Sequence, residues 1–192
     1  MAQLRIISGA WRRLQLTVAP VEGLRPTPDR VRETVFNWLG QDCTGWQVLD
    51  LFAGTGALGF EAASRGASRV CFVEKNRQVA QQLENNKQFL LSKWQLSDGS
   101  MPALHVTQGD ATQVLTHLAE QGQHFDLVAL DPPFHSDCLR SVLPLVAAVL
   151  KPGALVYIEW HEQLGDLASE FDALRYLKAG QVHAHLFAQS VM

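Results

Sequence analysis

From Trp46 onwards the sequence alternates short apolar segments with amphipathic ones. It predicts strands at residues 47–52, 69–74, 103–108, 125–130 and 154–160, with helices between them at residues 57–65, 77–91, 111–121 and 137–150. Because the strand segments are apolar almost throughout, both of their faces should be covered. The alternation therefore predicts an α/β fold whose sheet is mostly parallel and built from right-handed βαβ units. Two alternating segments around Gly180 predict an antiparallel C-terminal hairpin, which brings the sheet to seven strands.

The first forty residues have a different pattern. Apolar residues alternate over residues 3–18 around Ser8-Gly9, which predicts a small β-hairpin. Thr27 is a candidate helix cap and Pro28 a candidate first helical residue, for a helix that ends near Leu39. Its apolar residues fall on one side, so Arg30 and Arg32 are expected elsewhere on its surface.

The segment DLFAGTGALG, residues 50–59, follows the first strand of the alternating region and opens a helix. Gly54, Gly56 and Gly59 match the pattern G-x-G-x-x-G, and Glu74 ends the next strand. This arrangement fits a dinucleotide, with its pyrophosphate at the helix N-terminus, and it also fits S-adenosylmethionine. Asp50 favours the second, because a carboxylate repels a pyrophosphate and attracts an ammonium or sulfonium group.

With VEKN at residues 73–76 and LKPGA at residues 150–154, the glycine-rich segment resembles the core of class I S-adenosylmethionine-dependent methyltransferases. The resemblance implies their Rossmann-like fold and S-adenosylmethionine as the cofactor. It implies that Asp110 contacts the adenine of the cofactor and that Glu74 contacts its ribose. The implied cofactor-binding residues are Asp50, Phe52, Ala53, Gly54, Thr55, Gly56, Glu74, Lys75, Asp110, Ala111 and Asp131. From the sequence alone, Asp110 also reads as the N-cap of the following helix.

The tetrapeptide Asp131-Pro132-Pro133-Phe134 follows the strand at residues 125–130 directly. Carboxyl ends of parallel strands bind ligands in open α/β sheets, so this segment should face the same crevice as the glycine turn. Asp131 and the Pro132 carbonyl could each accept a hydrogen from an exocyclic amino group and so orient its lone pair. Phe134 could stack on an extruded base. We therefore predict Asp131, Pro132 and Phe134 as catalytic residues.

DPPF resembles the (D/N)PP(Y/F) motif of methyltransferases that act on amino groups. RIISGAWR at residues 5–12 and LRPTPDRVRETVFNWL at residues 24–39 resemble the RsmD-type methyltransferases of bacterial small-subunit (16S) ribosomal RNA. This resemblance implies methyl transfer to the N2 amino group of one guanine, within an assembled or nearly assembled subunit, by a monomer. It also implies an RNA-contacting extension at residues 1–40 and a methyltransferase domain at residues 41–192. The segment AWRRLQL at residues 10–16 departs from the usual family sequence.

The net charge of −3 conceals an asymmetry. Residues 1–32 carry a net charge of +4, whereas the remainder carries −7. A basic segment on an acidic body is suited to a local contact with a polyanion. The predicted RNA-binding residues are Arg5, Arg12, Arg13, Arg25, Arg30 and Arg32.

Composition and length exclude several other classes of protein. With 192 residues, 47% hydrophobic and 18% charged, the chain has the composition of one globular domain. It has no apolar run of about 18 residues and no secretory signal pattern, which predicts a cytoplasmic protein with no membrane contact. Three cysteines without CxxC spacing predict neither a disulfide framework nor a metal site.

Four rival functions remain open at this point. They are an adenine-N6 nucleic-acid methyltransferase, a protein-glutamine methyltransferase, a nicotinamide-dependent oxidoreductase and a non-catalytic RNA-binding module. A target-recognition region, as expected of the first, has little room in 192 residues. Protein-glutamine methyltransferases typically carry NPPY, where this chain has DPPF at residues 131–134.

Overall fold

The computed structural model describes residues 2–95, 99–133 and 138–189, without the side chain of residue 166. In chain order its elements are β1 (Gln3–Arg5), β2 (Gln15–Thr17), α1 (Asp29–Trp38), β3 (Gln47–Asp50), α2 (Ala57–Ser64), β4 (Arg69–Glu74), α3 (Arg77–Ser92), β5 (Ala103–Gln108), α4 (Ala111–Glu120), β6 (Phe125–Leu130), α5 (Cys138–Val146), β7 (Leu150–Trp160), β8 (Phe171–Ala179) and β9 (Val182–Gln189). Short 3-10 helices at Ala147–Val149 and Gly165–Ala168 flank β7. In the described part of the chain, no helix is both long and apolar enough to cross a membrane.

The large sheet has the strand order β5-β4-β3-β6-β7-β9-β8. The first five of these strands are parallel to one another, and β9 is antiparallel to both β7 and β8. This confirms the predicted seven-stranded, mostly parallel sheet with its antiparallel C-terminal hairpin. From β3 the chain first builds outward to β5 and then returns to place β6 on the other side of β3. A switch of this kind opens a crevice at the carboxyl ends of β3 and β6.

Each face of the sheet carries its own hydrophobic core. Successive strand residues point to opposite faces, so Val48 belongs to one core and Leu49 to the other. The first core contains residues of β1, β2, α1, α2 and α3, and the second contains residues of α4 and α5. The N-terminal hairpin and α1 therefore share a core with the domain that follows. The predicted division at residue 40 stays a prediction.

The buried Glu61 of α2 joins the N-terminal segment to the rest of the fold. Its side chain is fully buried and accepts hydrogen bonds from the backbone nitrogens of Ile7 (2.8 Å) and Ser8 (3.0 Å). It also accepts from Arg65 Nε at 2.8 Å and from Arg32 Nη1 at 3.3 Å. Four donors from three separate segments thus meet at one carboxylate, which compensates the cost of burying its charge.

The expectation that Arg32 lies on the surface and contacts RNA is wrong. Its side chain is fully buried, and besides Glu61 it donates to Asp29 Oδ1 at 2.6 Å and to the Arg5 carbonyl at 2.8 Å. A guanidinium enclosed by these acceptors has no route to a phosphate. Arg5 Nη2 lies 2.6 Å from Asp29 Oδ2, although the Arg5 side chain is largely exposed.

Three predicted element boundaries differ from the observed ones. Pro28 is the N-cap of α1 and makes no side-chain cap hydrogen bond, so the predicted cap at Thr27 is wrong. Helix α5, which contains Pro144, ends at Val146, and a 3-10 turn at Ala147–Val149 follows it. Strand β7 begins at Leu150, four residues before the predicted start at residue 154. Its register against β6 shifts after the Phe125–Leu150 pair.

We expect Glu61→Gln to lower the free energy of unfolding by about 3 to 5 kcal/mol, because it removes the carboxylate partner of the buried Arg65 and leaves the buried Arg32 paired with Asp29 alone. Urea unfolding measures this difference. The control is Glu84→Gln on α3, whose partly exposed pair with Lys87 (2.7 Å) should contribute about 1 kcal/mol or less. Equal losses in the two variants would contradict the anchoring role of Glu61.

Candidate active site

A cleft of about 900 Å³ lies at the carboxyl ends of the parallel strands. Its floor is formed by residues that follow β3, β4, β5 and β6, and one wall is the loop of residues 21–28. Every predicted cofactor residue except Gly56 lines this cleft. The anchored hairpin and α1 hold this wall beside the glycine turn.

The three glycines of the turn have different tasks. Gly56 is the N-cap of α2 with φ +77°, and an added Cβ there would lie 2.5 Å from the Phe60 ring. Gly59 lets α2 approach β4, because an added Cβ would lie 2.3 Å from Phe72 Cε1. Gly54 lines the cleft and donates its backbone N–H to Glu74 Oε2 at 3.0 Å. Only Gly54 therefore faces the ligand space directly.

Asp50, at the end of β3, is a buried carboxyl group that lines the cleft. Its Oδ2 accepts the backbone N–H of Gly59 at 3.0 Å, which fixes its orientation. Burial raises its pKa from 3.8 to about 7, with further contributions from Glu74 and Glu159, and the Gly59 hydrogen bond opposes this rise. Within the described residues no cationic side chain pairs with Asp50, so a positively charged ligand would supply the missing partner.

Two further carboxylates mark neighbouring strand ends. Glu74 accepts backbone N–H groups of Gly54 and, at 2.7 Å, of Asn76, and its remaining lone pairs are open to ligand hydroxyls. Asp110 caps α4 by accepting from Thr112 N at 3.1 Å, as predicted, and its other oxygen lies 3.2 Å from Lys75 Nζ. The Lys75 hydrogen bond is the main cause of the lowered pKa of Asp110. Lys75 itself lies exposed at the cleft rim.

Asp131 and Pro132 follow β6 and line the cleft next to the glycine turn, because β6 pairs with β3. Burial, together with the nearby Glu159 and Asp50 carboxylates, raises the pKa of Asp131 well above its ordinary value. Among the described residues none donates a hydrogen bond to the Asp131 carboxyl group. The predicted stacking residue Phe134 lies outside the described residues.

Sequence reasoning missed Glu159. This residue of β7 is 4% exposed, lines the cleft and accepts the Tyr157 hydroxyl at 2.7 Å. The parallel pairing of Leu130 with Ile158 places Glu159 beside Asp131, one step further along both strands. The available signal was a carboxylate within the otherwise apolar segment LVYIEW, residues 155–160.

The predicted RNA-binding arginines differ in exposure and in their partners. Arg12 and Arg13 are exposed in the turn of the N-terminal hairpin, and Arg30 is exposed on α1. Arg25 is exposed on the cleft wall and so could contact either a cofactor or a substrate. Arg5 and Arg32 are engaged with Asp29.

Comparison with known proteins decides the family. Residues 4–188 match the family described as Conserved hypothetical protein 95. The chain is 43% identical over 159 residues to ribosomal RNA small subunit methyltransferase D of Haemophilus influenzae, an alignment that covers 82% of this chain and 78% of the relative. The chain belongs to this family. The predicted resemblance to RsmD-type enzymes is confirmed.

Solved structures of the family and of related proteins share the fold. YhhF from Escherichia coli superposes with a TM-score of 0.81 at 37% identity, covering 100% of both chains. The Thermus thermophilus 16S rRNA N2 G1207 methyltransferase RsmC, in complex with AdoMet and guanosine, superposes with a TM-score of 0.74 at 22% identity. That match covers 98% of this chain and 50% of RsmC. The class I methyltransferase fold predicted for this family member is confirmed.

The raised pKa of Asp50 has a consequence for stability. The folded protein holds this proton to a higher pH than the unfolded chain does, so the stabilisation is complete below about pH 4 and is lost as the pH rises through about 7. Asp50→Asn keeps an acceptor for Gly59 N–H and does not titrate. We expect it to gain about 2 to 3 kcal/mol of stability relative to wild type between pH 5 and pH 8.

Urea unfolding of both ligand-free proteins at the two pH values measures this gain. A stability difference that stays constant from pH 5 to pH 8 would show that Asp50 has the same pKa in the folded and unfolded protein.

Proposed function

We propose that this protein transfers a methyl group from S-adenosylmethionine to the N2 amino group of a guanine in small-subunit (16S) ribosomal RNA. The observation that carries the proposal is the position of Asp131-Pro132 beside the glycine turn in one cleft, in a chain of this family. The names of the relatives support ribosomal RNA as the substrate class. We further propose that the substrate is an assembled or nearly assembled subunit and that the enzyme acts as a cytoplasmic monomer.

The cleft residues fit S-adenosylmethionine, which when bound supplies a methyl group on a sulfonium centre. The buried Asp50 lacks a cationic partner among the described residues and would balance the positive charge of the ligand. Glu74 would accept the ribose hydroxyls, and Asp110 with the Ala111 N–H would contact adenine. The backbone of Phe52, Ala53, Gly54 and Thr55 would enclose the amino-acid part, with Gly56 shaping the turn and Lys75 at the rim.

Asp131 and Pro132 would act on the amino group of the base. The Asp131 carboxylate and the Pro132 carbonyl each accept one amino hydrogen, which turns the nitrogen lone pair away from the ring and towards the cofactor. The raised pKa of Asp131 makes it a stronger base than a solvated carboxylate, so it can take the proton that the amino group loses. Positioning and local electrostatics then supply most of the rate enhancement.

Asp50 also weighs against the nicotinamide alternative. A buried carboxylate at the glycine turn would repel a pyrophosphate, and the nearby Glu74 and Glu159 would strengthen that repulsion. Titration with each cofactor separates the two possibilities. A metal-dependent reaction finds no support in the described residues, where no group of three or more His, Cys, Asp or Glu side chains is placed to hold an ion.

We expect Asp131→Ala to lower methyl transfer by about 100-fold or more while cofactor affinity changes little, because the lost acceptor acts chiefly in the transition state. The measurement is the kcat of purified protein on small ribosomal subunits, with the product nucleoside identified by mass spectrometry. Asp126→Ala is the control, since Asp126 pairs with Lys151 at the opposite end of β6. Near-normal turnover by the Asp131 variant would remove Asp131 from the mechanism.

We propose that Arg12, Arg13, Arg25 and Arg30 contact RNA. Arg5 is a weaker candidate, because it pairs with Asp29. If Arg12 and Arg13 touch phosphates, replacing both by Ala should reduce the salt slope of subunit binding by about 1.4 to 1.8. Turnover at saturating substrate should persist, because the hairpin turn does not line the cleft. Binding titrations across a range of salt concentrations measure the slope.

Arg140→Ala removes an exposed charge from α5, which packs on the other face of the sheet, and serves as the control. If the double variant binds with the slope and affinity of the wild type, the hairpin is not an RNA contact.

A further inference from the structure

Glu159 is buried at the cleft and uses only part of its hydrogen-bonding capacity. Its Oε1 accepts the Tyr157 hydroxyl, and no described residue donates to its Oε2. The side chain is 4% exposed and lines the cleft together with Asp131. A carboxylate buried to this extent is costly for a fold to keep unless donors compensate it, and a ligand in the cleft could supply one.

The positions of Asp131 and Glu159 match one feature of guanine. Asp131 and Glu159 each follow a residue of the Leu130–Ile158 pair, so they stand side by side at one edge of the cleft. Neighbouring strand backbones are about 4.8 Å apart. Guanine carries two adjacent groups of donors on its Watson–Crick edge, the N1–H and the N2 amino group. Adenine presents an acceptor at N1, which a carboxylate would repel.

We propose that Glu159 reads guanine by accepting the N1–H of the target base while Asp131 and Pro132 hold its N2 amino group. This inference rests on the proposed function and names the residue that sets its base specificity. Glu159 acts as a specificity determinant that contacts the base, and Tyr157 acts as a positioning residue. The Tyr157 hydroxyl donates to the Glu159 carboxylate and so fixes its orientation. Burial raises the pKa of Glu159 overall, and this hydrogen bond opposes part of that rise.

The test uses a base that keeps the amino group and loses the N1–H. 2-Aminopurine has an amino group at C2 and an acceptor at N1, so in the wild-type site its N1 would face the Glu159 carboxylate. Small ribosomal subunits are reconstituted with rRNA that carries either guanine or 2-aminopurine at the modified nucleotide. The kcat and KM for each are measured with wild type, Glu159→Gln and the control Glu162→Gln, whose side chain is largely exposed.

We expect wild type and the control to prefer guanine by about 100-fold or more in kcat/KM. In Glu159→Gln the side-chain NH2 group can face the base. It can then donate to N1 of 2-aminopurine, but it cannot accept the N1–H of guanine. The preference for guanine should therefore fall by about 10- to 100-fold. We expect kcat/KM to fall on guanine and to stay constant or rise on 2-aminopurine. Thermal unfolding of the variant establishes that it is folded.

Two results would overturn the inference. The first is an equal loss of kcat/KM on both bases in Glu159→Gln, which would make Glu159 a structural residue. The second is a wild-type enzyme that uses 2-aminopurine as well as guanine, which would show that the N1–H is not recognised. Failure of the proposed function is distinct, because the wild-type product would then be something other than N2-methylguanosine. A product of N6-methyladenosine would replace both proposals with the adenine alternative.

Discussion

The placement of the cleft depends on one buried ion cluster. Glu61 on α2 accepts donors from the loop after β1, from Arg32 on α1 and from Arg65 at the end of its own helix. Helix α2 begins at the glycine turn and also carries Glu61. The same helix therefore contacts both the cleft and the N-terminal segment. The loop of residues 21–28 is held between the hairpin and α1 and becomes a wall of the cleft. The basic N-terminal segment is thus joined by buried contacts to the part of the chain that forms the cleft.

The cleft brings three ionisable carboxyl groups together at the expense of stability. Asp50, Asp131 and Glu159 lie on three adjacent strands, and burial raises the pKa of each. A fold selected for stability alone would not place three carboxyl groups together without cations. A cationic cofactor and a base that donates hydrogens would compensate these charges during binding and transfer, which gives the arrangement a functional reason.

The parallel sheet, the glycine turn and the place of Asp131 and Pro132 in the cleft could be predicted from the sequence because each depends on local pattern. Continuous apolar strands require cover on both faces, and a glycine turn after a strand requires a helix start. Arg32 and Glu159 could not be predicted in the same way. The burial of Arg32 depends on Glu61, 29 residues away, while the place of Glu159 beside Asp131 depends on the pairing of β6 with β7. The end of α5 and the early start of β7 also depend on tertiary packing.

The central claim is that the cleft directs methyl transfer to the N2 amino group of one guanine in small-subunit ribosomal RNA. The most direct measurement is nucleoside mass spectrometry, with positional mapping, of that RNA from cells with and without the protein. We predict the loss of N2-methylguanosine at a single position and its return when the protein is restored. An unchanged N2-methylguanosine content, or a loss of N6-methyladenosine in its place, would contradict the account.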